Sequence, residues 1–141
     1  MKKTAEDRGA AAAAVRNGND VGVSEEIAAA TELPPARAAE LIEAGVELID
    51  VRRPYEFAAG HLAGARNIEM NDLTAAAGEL PRDRPLILYC RSGSRSSMAV
   101  AAFAEAGFDA HNIAGGIKAW ADENRPLEPE GGSITDPLPP S

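Results

Sequence analysis

The sequence predicts an α/β fold organised around a mainly parallel sheet. Strand-like apolar runs alternate with alanine-rich helical stretches through the middle of the chain, an alternation that favours parallel strands joined by helices. The junctions Glu43-Ala44-Gly45-Val46 and Glu105-Ala106-Gly107-Phe108 repeat one chemistry, a helix closed by glycine that turns directly into a strand. The run Leu86-Ile87-Leu88-Tyr89 is apolar without alternation, which suits a strand covered on both faces.

Each element follows in order. Glu26 to Ala30 reads as a short first strand. Pro34-Pro35 suits a helix start, and Ala36 to Ala44 reads as that helix, stopped at Gly45. Val46 to Val51 is a strand, Pro54 to Ala59 one or two helical turns ended by Gly60, and Ala65 to Ile68 a short strand. Asn71 or Asp72 can cap a helix reaching about Leu80. A turn through Pro81 to Pro85 leads to the central strand Leu86 to Tyr89. Ser96 to Ala106 is a helix, Asp109 to Ile113 a strand, and Gly115-Gly116 opens a last helix, Ile117 to Glu123. Residues 1–23 lack a lasting apolar period and are expected to form a flexible tail. Residues 24–127 form the domain, and the proline- and glycine-rich residues 128–141 are expected to form a second flexible, extended tail.

Composition narrows the function classes. The chain has 141 residues, enough for one ordinary domain with a core. Its net charge is −8, which argues against nucleic acid and anionic membrane as partners, and no apolar run reaches membrane-spanning length. Glu6 and Asp7 follow Met1-Lys2-Lys3 without an apolar signal segment, so a cytoplasmic location is expected. The single cysteine excludes an intrachain disulfide framework and a Cys-x-x-Cys redox pair. With only His61 and His111 beside it, no metal site is expected, and the residues indicate no cofactor.

That cysteine, Cys90, falls where the central strand ends and a helix is about to begin. A helix N-terminus offers unpaired N–H groups and a positive dipole end, which bind anions and lower a thiol pKa. Arg91 and Arg95 add two positive charges in the same short loop. A cysteine that merely fills space fits poorly with the Arg-Ser-Gly-Ser-Arg that follows. Asp50 also falls at a predicted C-terminal strand end, the edge where ligands bind in such sheets, and is therefore a candidate neighbour of Cys90.

Taken together these residues resemble the rhodanese domain of the sulfurtransferase family. Cys90-Arg91-Ser92-Gly93-Ser94-Arg95-Ser96 is similar to the family's Cys-x-x-Gly-x-Arg-Ser loop. Leu48-Ile49-Asp50-Val51-Arg52, Tyr55-Glu56-Phe57 and Gly60-His61-Leu62-Ala63-Gly64-Ala65-Arg66-Asn67-Ile68 resemble its N-terminal signature, and Ala114-Gly115-Gly116-Ile117-Lys118-Ala119-Trp120 its C-terminal one. The likeness covers Ser24 to Leu127. It implies a parallel sheet with helices on both faces and a cysteine loop wrapped around its own sulfur. Four residues separate Cys90 from Arg95, where the related cell-cycle phosphatases and arsenate reductases carry five. The shorter loop suits a single sulfur atom better than a tetrahedral phosphate.

The resemblance implies transfer of a sulfane sulfur from thiosulfate or a persulfide to a thiol or cyanide, through a persulfide on Cys90. A small sulfur donor and a thiol acceptor, a thiol protein among the candidates, are the expected partners. Backbone N–H groups from Arg91 to Ser96 would stabilise the anionic sulfur as an oxyanion hole does. Arg91 is the candidate for the donor's sulfonate oxygens. Arg95 has two readings, facing the donor or bracing the loop against Asp50 or Glu56. Asp50, Arg52 and Glu56 are read as loop-bracing, and Ser92, Ser94 and Ser96 as small polar residues that let backbone approach the sulfur. His61 is expected to be architectural, Trp120 a core or pocket-wall residue, His111 a surface or strand-end residue, and Gly115-Gly116 not a phosphate loop. Alternatives left open are a persulfide carrier without turnover, a phosphatase or arsenate reductase of the same fold, and an inactive regulatory domain.

Overall fold

The computed structural model describes residues 31–134. The element order is β1 (Glu32–Leu33), α1 (Pro35–Glu43), β2 (Glu47–Asp50), α2 (Pro54–Ala59), β3 (Arg66–Asn67), α3 (Leu73–Ala76) flanked by 3-10 turns, β4 (Leu86–Tyr89), α4 (Ser94–Glu105), β5 (Ala110–Ile113) and α5 (Gly116–Asp122). The five strands form one sheet in the order β1-β5-β4-β2-β3, with every pairing parallel. All four residues of β4 are buried. Successive strand residues point to opposite faces, so both faces of the sheet are covered, as the unbroken apolar run requires. On one face Leu86 and Leu88 join Ile49, Val51, Leu73, Ala99, Val100 and Phe103 in the core, and Cys90 belongs to the same cluster.

The two glycine junctions fold alike. Val46 N–H bonds Leu41 O (3.1 Å) and Gly45 N–H bonds Ile42 O (3.0 Å); Phe108 N–H bonds Phe103 O (3.0 Å) and Gly107 N–H bonds Ala104 O (3.1 Å). This double closure satisfies the helix's last carbonyls and aims the chain into the next strand. At the second junction the accompanying apolar contact is Phe103 on Phe108, ring centroids 4.8 Å apart.

Some expectations fall outside the described residues and others are corrected. The proposed first strand, Glu26 to Ala30, lies outside the described residues, as does the N-terminal tail. The described edge strand is Glu32–Leu33, on a segment the sequence left unassigned. The single helix expected after an Asn71 or Asp72 cap and reaching about Leu80 is a 3-10 turn, one α turn and a second 3-10 turn, with no side-chain cap from Asp72. Helix α4 begins at Ser94, not Ser96. The start of the expected C-terminal tail is bonded to the domain: Glu128 pairs with His61 through N–H···O bonds of 2.7 and 2.8 Å, and Ser133 N–H reaches Ala59 O at 2.8 Å. No helix among the described residues is long and apolar enough to cross a membrane.

Candidate active site

After β2 the chain moves to β3 at one edge, and after β4 it moves to β5 on the other side. The crevice between the C-terminal ends of β2 and β4 is therefore the topological switch point, where ligands bind in open α/β sheets. Asp50 and Tyr89 are register partners at those ends, and Cys90 is the next residue. The neighbourhood of Asp50 and Cys90 expected from sequence is what the pairing produces.

Cys90 is 1% exposed, yet its sulfur is surrounded by donors. Gly93 N–H donates to Sγ at 3.1 Å. Burial pushes the thiol pKa up, but the Ser96 hydroxyl and the N–H groups of Ser96, Gly93 and Arg95 outweigh it and hold the pKa below the ordinary thiol value. The earlier start of α4 explains this set, because Ser94, Arg95 and Ser96 form its first turn, where N–H groups have no partner within the helix.

The loop's carbonyls face the other way. Cys90 O accepts Ile117 N–H at 2.9 Å and Arg91 O accepts Lys118 N–H at 3.0 Å, both from the first turn of α5. Gly93 O accepts Ser97 N–H (3.0 Å) and Asn112 Nδ2 (3.1 Å). With carbonyls drawn outward and N–H groups inward, the loop is a nest for an anion. Two glycines make it sterically possible. Gly93 has φ 100°, and Gly116 lies so close to the loop that a Cβ there would meet Cys90 O and Arg91 O at 2.5 Å. Gly116, read from the sequence as part of a helix opening, thus lets α5 press its N-terminus against the cysteine loop.

The remaining candidates separate into distinct groups. Ser92 and Ser94 are exposed, their hydroxyls 3.4 Å apart. Ser96 is fully buried. Arg91 is half-buried beside the cysteine. Arg95 is 38% exposed, and its Nη2 lies 3.8 Å from Oε2 of fully buried Glu56. The other Glu56 oxygen accepts Arg53 N–H at 3.0 Å, capping α2. Asp50 and Arg52, both fully buried, pair with each other at 2.7 Å through Arg52 Nη2 and Asp50 Oδ2, and Nη2 also donates to Gly60 O at 2.7 Å. Burial opposes the charge on Arg52, but the hydrogen bond and charge of Asp50 prevail and its pKa is raised. Of the three residues read as loop-bracing, Glu56 is the one brought to the loop; Asp50 and Arg52 lock the floor beneath it. There Tyr89 is buried, its hydroxyl accepting Leu62 N–H at 3.0 Å. Burial and the neighbouring Asp50 carboxylate push its pKa well up, so it remains a neutral phenol.

His61 stacks on Phe57 with ring centroids 3.7 Å apart, and its Nδ1 lies 2.8 Å from Phe57 O, a structural placement. His111 is not at the surface: it is 3% exposed within β5, with Nε2 2.8 Å from Asp109 Oδ1. Trp120 is buried and donates to Pro126 O at 3.0 Å. No cluster of potential metal ligands occurs among the described residues.

A family model for the rhodanese-like domain matches residues 34–123. The chain is 38% identical over 106 residues to a probable adenylyltransferase/sulfurtransferase MoeZ of Mycobacterium tuberculosis, covering 72% of this chain and 27% of that protein. It is 34% identical over 89 residues to the thiosulfate sulfurtransferase GlpE of Pseudomonas aeruginosa, covering 62% of this chain and 81% of that one. A solved rhodanese-related protein from Thermoplasma volcanium superposes with TM-score 0.64 at 31% identity, over 68% of this chain and 95% of the other. The chain belongs to the rhodanese-like domain family, whose relatives here are named sulfurtransferases. It spans about a quarter of the length of MoeZ.

Proposed function

We propose that this protein is a sulfurtransferase that carries a sulfane sulfur as a persulfide on Cys90. The observation that carries the reading is the inverted loop, with N–H groups converging on Cys90 Sγ and carbonyls bonded outward to α5 and Asn112. Such a cradle stabilises a thiolate and, one bond further out, an anionic persulfide sulfur.

With thiosulfate as donor, the Cys90 thiolate attacks the outer sulfur. A new S–S bond forms, the donor's S–S bond breaks, and sulfite leaves with the electron pair. An acceptor thiolate then attacks the terminal sulfur, and Cys90 departs again as thiolate. Cyanide in the second step gives thiocyanate. Arg91 receives the donor's sulfonate oxygens, while Arg95 holds the loop through Glu56. A lone cysteine suits a reducing, cytoplasmic setting, and the acceptor is a small thiol or a thiol protein.

A second reading is a carrier that loads sulfur and delivers it to a dedicated partner. It is favoured by the match to one quarter of a longer relative named for two activities. Intact mass after incubation with thiosulfate, for the wild type and Cys90→Ser, tests the proposal. A gain of one sulfur by the wild type alone, removed by cyanide, is the expected result. Absence of the gain with thiosulfate and with persulfide donors overturns it. Loading with poor thiosulfate–cyanide turnover favours the carrier.

A further inference from the structure

Gly93 is the weak point of the cradle. At φ 100° and without a Cβ, the peptide it forms with Ser94 is held by the bonds to its carbonyl, one from Ser97 N–H at 3.0 Å within α4 and one from a side chain outside the helix. Rotation would turn the Gly93 carbonyl away from these donors and toward the sulfur. A carbonyl facing an anionic sulfur is repulsive, so the cradle works only if this carbonyl is held.

The side chain that holds it comes from another strand. Asn112 of β5 is 1% exposed, and its Nδ2 donates to Gly93 O at 3.1 Å. The same nitrogen donates to Glu32 of β1, at 3.0 Å to Oε1 and 3.2 Å to Oε2. Asn112 Oδ1 accepts the Ser96 hydroxyl at 2.5 Å. A carbonyl and a carboxylate can only accept, so both amide hydrogens must face them and Oδ1 must face Ser96. Glu32 therefore fixes which way the amide points. It also accepts the Ser97 hydroxyl at 3.1 Å, tying the edge strand to the first turn of α4.

We propose that Asn112, oriented by Glu32, is a positioning residue for the sulfur site, keeping the Gly93 carbonyl outward and Ser96 beside Cys90 as the sulfur changes from thiolate to persulfide. The inference rests on the sulfurtransferase reading for its persulfide stage alone.

The test uses the full chain, in which Cys90 is the single cysteine. The rate of alkylation by iodoacetamide is followed against pH for the wild type, Asn112→Ala, Glu32→Gln and Glu32→Ala, beside urea unfolding and sulfur uptake from thiosulfate. The other charged groups on the elements around the loop, Arg91, Arg95, Glu56 and Lys118, are the same in all four. Loss of the tie on Gly93 raises the Asn112→Ala midpoint by about half to one unit, the scale of one hydrogen bond, and slows sulfur uptake. Glu32→Gln and Glu32→Ala both lose the charge, but only Gln keeps an oxygen for Nδ2. The Ala midpoint is therefore expected above the Gln midpoint by about half a unit.

A merely structural role would lower stability and leave the midpoints in place. Equal midpoints for wild type and folded Asn112→Ala overturn the proposal. Equal midpoints for the two Glu32 variants overturn the orienting role of Glu32, and this comparison decides the matter if Asn112→Ala does not fold. Failure of the wild type to take up sulfur would refute the sulfurtransferase reading without touching the midpoints.

Discussion

At Cys90 burial and hydrogen bonding act on one atom in opposite directions, and hydrogen bonding wins. A depressed thiol pKa means that the nucleophile persists at lower pH than an ordinary thiol and is lost as pH falls through its folded value. The same sign applies to stability: the contribution is present above the unfolded thiol pKa and disappears on acidification through the folded one. Ser96 supplies the leading favourable contribution, but its hydroxyl has one proton and three acceptors in reach, the sulfur, Asn112 Oδ1 and, at 3.5 Å, Gly93 O. Ser96→Ala is expected to raise the alkylation midpoint by about one unit, read from the pH dependence of Cys90 modification. An unmoved midpoint would mean that the proton serves Asn112 alone. Beneath the loop, Asp50→Asn strips the counter-charge from a fully buried arginine. A broken buried pair of this kind costs about 3–5 kcal/mol, and denaturant unfolding should show a loss on that scale. An unchanged unfolding midpoint would contradict the description of Asp50 and Arg52 as a locked floor.

Among the elements, β4 and the two glycine-closed helices were legible in the sequence because their signals are local: an unbroken apolar run and a Gly at the helix end. The start of α4 was not, because Gly93 stands at its N-cap in a left-handed conformation. No side chain there caps in the usual way, so the first turn merges with the loop that precedes it. The strand β1 has two residues, too few to show a period, and it carries Glu32, whose bond to Asn112 spans 80 positions. The Cys90 loop, Asp50, Arg52 and Glu56 could be named from their own motifs, but not which carboxylate, Asp50 or Glu56, faces Arg95. Asp50 and Arg52 face each other two residues apart, and Glu56 reaches Arg95 only because α2 packs against the loop. The close approach of α5 is likewise tertiary, and it makes a sharp prediction. Gly116→Ala would place a methyl 2.5 Å from two loop carbonyls, in a backbone conformation with φ 65°. Backbone cannot retreat cheaply, so the loop must shift; a cost of roughly 1–3 kcal/mol is expected. Sulfur uptake should fall more steeply than stability. Wild-type uptake by this variant would show that the α5 clamp is not needed to shape the cradle.

For the whole molecule the decisive fact is that the chain has one cysteine. A persulfide formed on Cys90 has no second thiol in the same chain to resolve it, and Cys90 is 1% exposed within its loop. The loaded protein should therefore persist until an acceptor arrives from outside, and turnover should follow ping-pong kinetics. Without acceptor, excess thiosulfate is expected to release one sulfite per chain in a single burst and then stop. Adding cyanide or a small thiol should restart release at a rate that depends on acceptor concentration. Quantifying sulfite against time, before and after the acceptor is added, measures this directly. Continued release without acceptor would mean that water or a second donor molecule strips the terminal sulfur. The N–H cradle would then fail to protect its cargo, and a role in delivering sulfur to a partner would lose its physical basis.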